Sequence, residues 1–212
     1  MTLDVDWALA WVRGAATAIA EHRDELVELD RQIGDGDHGT NLDRGFTAVL
    51  ARLDALPAPP AQVGDVLRLV ATTLMSTVGG AAGPLYGTAF LRAAKVAAAP
   101  DLDASAVVAL LEAVLDGITT RGNAVPGEKT MVDAWAPAVD AAVTAADNGA
   151  SPAAVLAAAG VAARAGALAT IPLVATKGRA SYLGPRSAGH LDPGARSSEL
   201  ILRAAADAAS AA

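Results

Sequence analysis

The sequence predicts an all-α fold, a bundle of eight antiparallel helices in one domain spanning residues 1–212. Three observations lead there. Apolar side chains recur at three-, four- and seven-residue spacings in eight separate stretches, the pattern of amphipathic helices. Alternating runs of Val, Ile, Thr and aromatic residues, which mark strands, are nearly absent. Alanine, the strongest helix former, supplies 54 of the 212 residues. With aromatic residues at only 3%, the core has to come from Leu, Val and Ala, whose small side chains let helices approach closely. Short turns between successive stretches favour antiparallel neighbours.

The first stretch, residues 6–33, places Trp7, Trp11, Ile19, Leu26, Leu29 and Ile33 on one face, with Glu21, Asp24, Glu25 and Glu28 between them, and reads as one long helix. Gly34 to Gly39 interrupts it. Thr40 and Asp43 resemble a capping box with Asp in place of Glu, opening a second helix to about Leu56. Pro57, Pro59 and Pro60 form a linker, and a third helix covers residues 63–77. The run Gly79-Gly80-Ala81-Ala82-Gly83-Pro84 separates it from a fourth over residues 85–98, which Pro100 closes. Residues 103–121 give a fifth, ended by Gly122 and a polar turn to Glu128. The sixth, residues 129–147, contains Pro137 and therefore needs a kink or a late start. Ser151-Pro152 opens the seventh, which runs toward Ile171, because Pro suits a first helical position. Residues 177–194 form a loop of roughly 18 residues, a length that compact domains keep for a use. Residues 196–209 make the eighth helix.

Composition narrows the chemistry. Acidic side chains number 23 against 16 basic ones, a net charge of −7, which argues against a nucleic-acid partner. The absence of cysteine removes disulfides, thiolate zinc sites, iron–sulfur clusters and cysteine nucleophiles, so any metal is a hard, Mg²⁺-like cation held by oxygen. The most apolar stretch, residues 151–176, is interrupted by Gly160, Arg164 and Gly166 and lacks the dense Leu, Ile and Phe of a membrane span, so no membrane partner is expected. Asp4 and Asp6 stand where a signal peptide carries Lys or Arg, and a cytoplasmic location is expected.

Gly34-Asp35-Gly36-Asp37-His38-Gly39 matches the dinucleotide pattern G-x-G-x-x-G, but a charged helical face precedes it where that fingerprint requires a buried strand. Two carboxylates inside the loop would also repel a pyrophosphate. Divalent cations remove that objection, since Mg²⁺ takes oxygen ligands and bridges carboxylate to phosphate. Asp30, with Asp35 and Asp37 five and seven positions further on, can converge on one small volume. Three carboxylates carry roughly −3 and a nucleoside diphosphate roughly −3, which two Mg²⁺ offset by roughly +4. The same aspartates also suit an ordinary turn, and the spacing fails the EF-hand pattern.

His38 can hydrogen-bond a phosphate or act as an acid–base group, whereas His22 reads as a solvated helix residue. His190 lies in a loop of small residues with Asp192 and a Pro193-Gly194 turn, the make-up of a binding loop. One glycine among Gly79, Gly80 and Gly83 would serve as a helix cap; three within five residues fit backbone N–H groups approaching an anion. Residues 122–130, GNAVPGEKT, nearly spell a P-loop, but Glu128 intervenes and no strand precedes them. They read as a turn into the sixth helix, with Met131 free to pack on a flat ring. Lys177, Arg179 and Arg186 concentrate positive charge in the long loop, and Arg suits phosphate oxygens.

Asp30-x4-Asp35-Gly-Asp-His-Gly-Thr40-Asn41, Gly79-Gly80-Ala-Ala-Gly-Pro-Leu-Tyr86-Gly, Lys129-Thr-Met131-Val-Asp133, Lys177-Gly-Arg179-Ala-Ser-Tyr-Leu-Gly and Asp192-Pro-Gly194 together, in this order and spacing, resemble the nucleotide-binding L subunits of bacterial dihydroxyacetone kinases. The resemblance spans nearly the whole chain. It implies a barrel of eight antiparallel helices holding ADP or ATP at one end through two Mg²⁺. By the same resemblance Asp30, Asp35 and Asp37 are the metal ligands, and His38, Gly39, Thr40, Asn41, Gly79 and Gly80 meet the phosphates and nearby groups. Gly122 and Met131 line the adenine and ribose side; Arg179, Asp192, Pro193 and Gly194 close over the nucleotide. His38 and Arg179 support phosphoryl transfer, with no covalent intermediate.

A free-standing chain resembles the phosphoenolpyruvate-dependent version. Its implied partners are a dihydroxyacetone-binding kinase subunit and a phosphohistidine carrier subunit of the phosphotransferase system, with a homodimer left open. Two rival readings stand beside it. One is the same domain serving another acceptor, as an ATP-dependent triose, polyol or fatty acid kinase; the other is a non-enzymatic helical interaction module.

Overall fold

Nine α-helices and one 3₁₀ segment make up nearly all the regular structure of residues 2–211, which a computed structural model describes. The helices are α1 (Val5–Glu21), α2 (Arg23–Ile33), α3 (His38–Asp54), α4 (Val63–Thr77), α5 (Ala82–Val96), α6 (Ala104–Gly122), α7 (Val132–Asp147), α8 (Pro152–Ala169) and α9 (Pro193–Ala211). The 3₁₀ segment, Arg179–Ser187, lies in the long loop. A two-residue antiparallel pair, β1 (Leu3–Asp4) with β2 (Asp101–Leu102), is too short for any alternation to reveal it in sequence.

The expected count of eight helices is corrected to nine because the first stretch is divided at His22, whose backbone (φ −100°, ψ 11°) leaves the helical range. The break is one residue wide: His22 N–H still donates to the Ala18 carbonyl (3.0 Å) and Leu26 N–H to that of His22 (2.9 Å). Apolar periodicity cannot register so local a change. The capping box at Thr40 is not used either, since α3 starts at His38. Helix α7 begins at Val132, after Lys129 with its left-handed φ of 63°, but Pro137 still lies inside it, so the later start does not clear the proline.

Each helix of the series α3, α4, α5, α6, α7, α8 and α9 packs on the next, and α1 packs on both α9 and α3, so the order closes on itself. Helix α2 lies across one end, against α3 and α9. Small residues make close packing feasible: a Cβ on Gly117 of α6 would lie 2.6 Å from the Ala89 Cα of α5, and one on Gly166 of α8 2.1 Å from the Asp133 carbonyl oxygen of α7. Trp7 and Trp11, stacked at 5.2 Å, fasten α1 to α9 by donating their indole N–H groups to the Ala205 (3.1 Å) and Ile201 (2.9 Å) carbonyls. Among the described residues only α8 is long and apolar enough to cross a membrane, and its Val155, Leu156, Ala159 and Ala163 are buried in a face packed between α7 and α9.

Candidate functional site

A cavity of about 580 Å³ opens at one end of the helix ring, within the range of small-molecule sites. Its wall takes the first residues of four helices: His38 of α3, Ala82 of α5, Val132 of α7, and Pro193 and Gly194 of α9. Helix N-termini present unpaired N–H groups and partial positive charge, a setting that favours anions. Against this stands a carboxylate cluster. Asp30, Asp35 and Asp37 each offer an oxygen within 4.8 Å of the others. A donor set of three carboxylates between helix N-termini suits a hard divalent cation placed between carboxylate and phosphate.

Asp30, in the last turn of α2, is buried, and its Oδ2 accepts the N–H groups of Asp37 (2.8 Å) and His38 (3.1 Å). It thereby does for α3 what the expected Thr40 cap does not. Gly34 clears the space, since a Cβ there would come 2.1 Å from Asp30 Oδ1. Asp35 is exposed and pairs with Arg179 of the 3₁₀ segment. His38 Nε2 is 2.9 Å from the Ser197 hydroxyl, which meets Tyr86 OH at 2.8 Å and donates to the Gly194 carbonyl (3.0 Å). Enclosure of the imidazole pushes its pKa down to about 4, against the pull of Asp30 and Asp37, so it is neutral near pH 7.

The opposite wall is apolar, with Leu85, Ile118, Ala124, Met131 and Val132. Asp192 is buried beside it; its carboxylate accepts the Ala195 N–H (2.8 Å), capping α9, and burial pushes its pKa up to about 7. Gly194 touches Met131 so closely that a Cβ would lie 3.0 Å from Met131 Cγ.

The structure brings together in this cavity Asp30, Asp35, Asp37, His38, Asn41, Gly79, Gly80, Gly122, Met131, Arg179, Asp192, Pro193 and Gly194, although they lie far apart in sequence. Two expected residues do not line it. Gly39 is buried against α2, where a Cβ would meet the Arg23 carbonyl oxygen at 2.2 Å, and Thr40 is exposed on α3. Of the loop cations, Lys177 and Arg179 reach the cavity and Arg186 does not; His190 instead pairs its Nδ1 with Gln32 Oε1 (2.9 Å). Sequence reasoning missed Lys129, which lines the wall with only 1% of its surface exposed. The sequence places it only in a turn beside Glu128, as part of a motif, and assigns it no role of its own.

Fold and site together define a class: an all-α domain whose acidic, glycine-walled cavity at one end of the helix ring suits a cation-bridged phosphate ligand. Residues 32–207 match the DAK2 domain, and the chain belongs to that family. It is 44% identical over 206 residues to the PEP-dependent dihydroxyacetone kinase 1 ADP-binding subunit DhaL of Listeria innocua, covering 96% of each chain. It is 42% identical over 200 residues to the PTS-dependent dihydroxyacetone kinase ADP-binding subunit DhaL of Lactococcus lactis, covering 94% of this chain and 95% of that one. Among solved structures it is similar to the dihydroxyacetone kinase of C. freundii in complex with AMP-PNP and Mg²⁺, with a TM-score of 0.70 and 26% identity over 94% of this chain. The chain spans about a third (34%) of that structure's length.

Proposed function

We propose that this chain is the ADP-binding subunit of a dihydroxyacetone kinase, holding ADP or ATP through two Mg²⁺ while a partner subunit binds dihydroxyacetone. The observation that carries this reading is the meeting of three carboxylates, within 4.8 Å of one another, with four helix N-termini at the mouth of one cavity. The names of the relatives supply the acceptor and the phosphoenolpyruvate dependence. In this reading a phosphohistidine carrier of the phosphotransferase system rephosphorylates the bound ADP in the cytoplasm, and the phosphoryl group then passes to dihydroxyacetone.

The roles follow the positions. Asp30, Asp35 and Asp37 hold the cations, which supply charge neutralisation to the phosphates. Gly79, Gly80 and the N-terminus of α5 offer backbone N–H groups to phosphate oxygens, and Asn41 faces the same region. Gly122, Met131 and the neighbouring apolar side chains take the base and ribose. Arg179 leaves its pairing with Asp35 for a phosphate once a cation neutralises that carboxylate, and with neutral His38 it steadies the charge in transfer. Asp192, Pro193 and Gly194 close the wall. No side chain here forms a covalent intermediate. Gly39 and Thr40 support the start of α3 from outside the cavity.

Native mass spectrometry of the purified protein before and after chelator tests the reading. A retained mass of one ADP and two Mg²⁺, lost with the chelator, is the expected result. A bare chain that also fails to take up added ADP with Mg²⁺ overturns it and favours the interaction module.

A further inference from the structure

Glu128 and Lys129, adjacent in the turn before α7, reach two separate ends of the chain that closes the cavity. The Glu128 backbone carbonyl accepts Thr176 N–H (3.3 Å), its carboxylate accepts the Thr176 hydroxyl (3.2 Å), and the Lys177 ammonium lies 4.0 Å away. Lys129 Nζ donates to the carbonyl of Thr170 (2.7 Å), the C-cap of α8, and to the carbonyl of His190. Thr170 closes the circuit by accepting Asp192 N–H on its hydroxyl at 3.0 Å. One ammonium thus ties the end of α8 to the segment that leads into α9.

The arrangement is costly. Lys129 combines a left-handed backbone with an almost fully buried ammonium, and such a residue persists only where its surroundings over-determine it. Part of the compensation is local, because a cation at a helix C-terminus complements the dipole, here at a Thr170 carbonyl that also accepts Leu173 N–H at 3.1 Å. Neither acceptor lies inside a helix: the Thr170 bond sits at the C-cap of α8, and the His190 bond reaches the segment before α9. What depends on them is the placement of residues 190–194, which meet Met131 with no slack: a Cβ on Gly194 would press on both Met131 Cγ (3.0 Å) and Asp192 Oδ2 (3.1 Å).

We propose that Lys129 is a positioning residue for nucleotide retention: by clamping the Thr170 and His190 carbonyls it holds the 190–194 wall against Met131 and sets the width of the apolar end of the cavity. The inference rests on the nucleotide reading above, and titration of the unaltered chain with ADP in saturating Mg²⁺ comes first. If that chain takes up no ADP, both readings fall; if it does, the variants judge Lys129 alone.

Lys129→Met keeps the apolar stem without the ammonium, and Lys129→Ala leaves room for a small cation. The expected result is ADP affinity weakened at least tenfold in both, while Mn²⁺ bound to the nucleotide-free protein, followed by paramagnetic resonance, changes less than twofold. In Lys129→Ala, n-propylammonium restores ADP affinity and tetramethylammonium, which has no N–H donor, does not. A merely structural lysine lowers the thermal midpoint without that split or that rescue, and ADP affinity within threefold of the unaltered chain overturns the proposal. If the lysine variants do not fold, Thr170→Val, which removes the acceptor of Asp192 N–H together with the hydroxyl's bond to the Ala167 carbonyl, tests the premise that the placement of residues 190–194 governs retention. A severalfold loss of ADP affinity supports that premise, and an unchanged affinity overturns it and the proposal with it.

Discussion

Asp30 Oδ2 accepts the backbone N–H of Asp37 at 2.8 Å, so a side chain from the end of α2 satisfies a donor at the start of α3. The same carboxylate belongs to the triad that gathers within 4.8 Å. Asp35 has no such second duty; its partner is Arg179 on an exposed face, a pairing of small net value. The two aspartates therefore separate stability from cation binding. In chelator, Asp30→Ala should lower unfolding stability by about 1–2 kcal/mol, the cost of orphaned helix donors, and Asp35→Asn should stay within about 0.5 kcal/mol of the unaltered chain. Urea unfolding measures both, and equal losses would show that Asp30 is only a ligand.

Cation removal should act through the ligand and leave the fold intact. With ADP at about 100 times its dissociation constant in excess Mg²⁺, the chain should gain about 2.7 kcal/mol, seen as a rise in thermal midpoint that chelator abolishes. Asp35→Asn and Asp37→Asn should show no such rise while their circular dichroism stays helical. A full ligand-induced shift in either variant would falsify the metal assignment.

The sequence made the helices and most of the site legible for different reasons. Helix positions followed from apolar spacing and from punctuation such as Ser151-Pro152, where Ser151 does cap α8 by accepting Ala154 N–H at 3.3 Å. The break at His22 escaped because Leu26 and Ile33 continue the apolar face across it. The convergence of Asp30, Asp35 and Asp37 was readable because their closeness in sequence makes it cheap, although the same residues also suit an ordinary turn. Lys129 was not readable, since its partners, the carbonyls of Thr170 and His190, are backbone atoms that no residue type announces. Gly39 falls outside the cavity lining because it packs against α2, a contact with backbone atoms that no residue type announces.

Burial of Asp192 gives stability a pH dependence whose sign can be worked out. Its folded pKa, about 7, stands above the ordinary value of 3.8, so between those limits the folded state holds a proton that the unfolded state has released. This contribution is present in full below about pH 4 and is lost as pH rises toward 7, with Lys129 opposing the shift and Asp133 adding to it. Asp192→Asn can still accept the Ala195 N–H but cannot ionise. Relative to the unaltered chain, the variant should gain stability from pH 4 to pH 8, by at most about 4 kcal/mol. Urea unfolding of the nucleotide-free protein at several pH values tests it, and parallel profiles would count against a buried, proton-holding Asp192.

Gly39 offers a test of how packing away from the cavity governs it. A Cβ at this position would lie 2.2 Å from the Arg23 carbonyl oxygen and 2.9 Å from Val27 N, both backbone atoms of α2 that cannot swing aside. Gly39→Ala must therefore push α2 from α3, at about 1–3 kcal/mol for overpacking. Because Asp30 rides on α2 and Asp37 stands at the start of α3, that displacement also spreads the carboxylates, so cation affinity should fall although residue 39 touches no ligand oxygen. Gly14→Ala in α1 is the control: its Cβ would meet Ala204 Cβ at an ordinary 3.6 Å, and replacing a helix-interior glycine should raise stability by about 0.5–1 kcal/mol. Mn²⁺ titration beside urea unfolding separates the two glycines, and a Gly39→Ala protein with undiminished Mn²⁺ affinity would mean that the triad tolerates movement of α2.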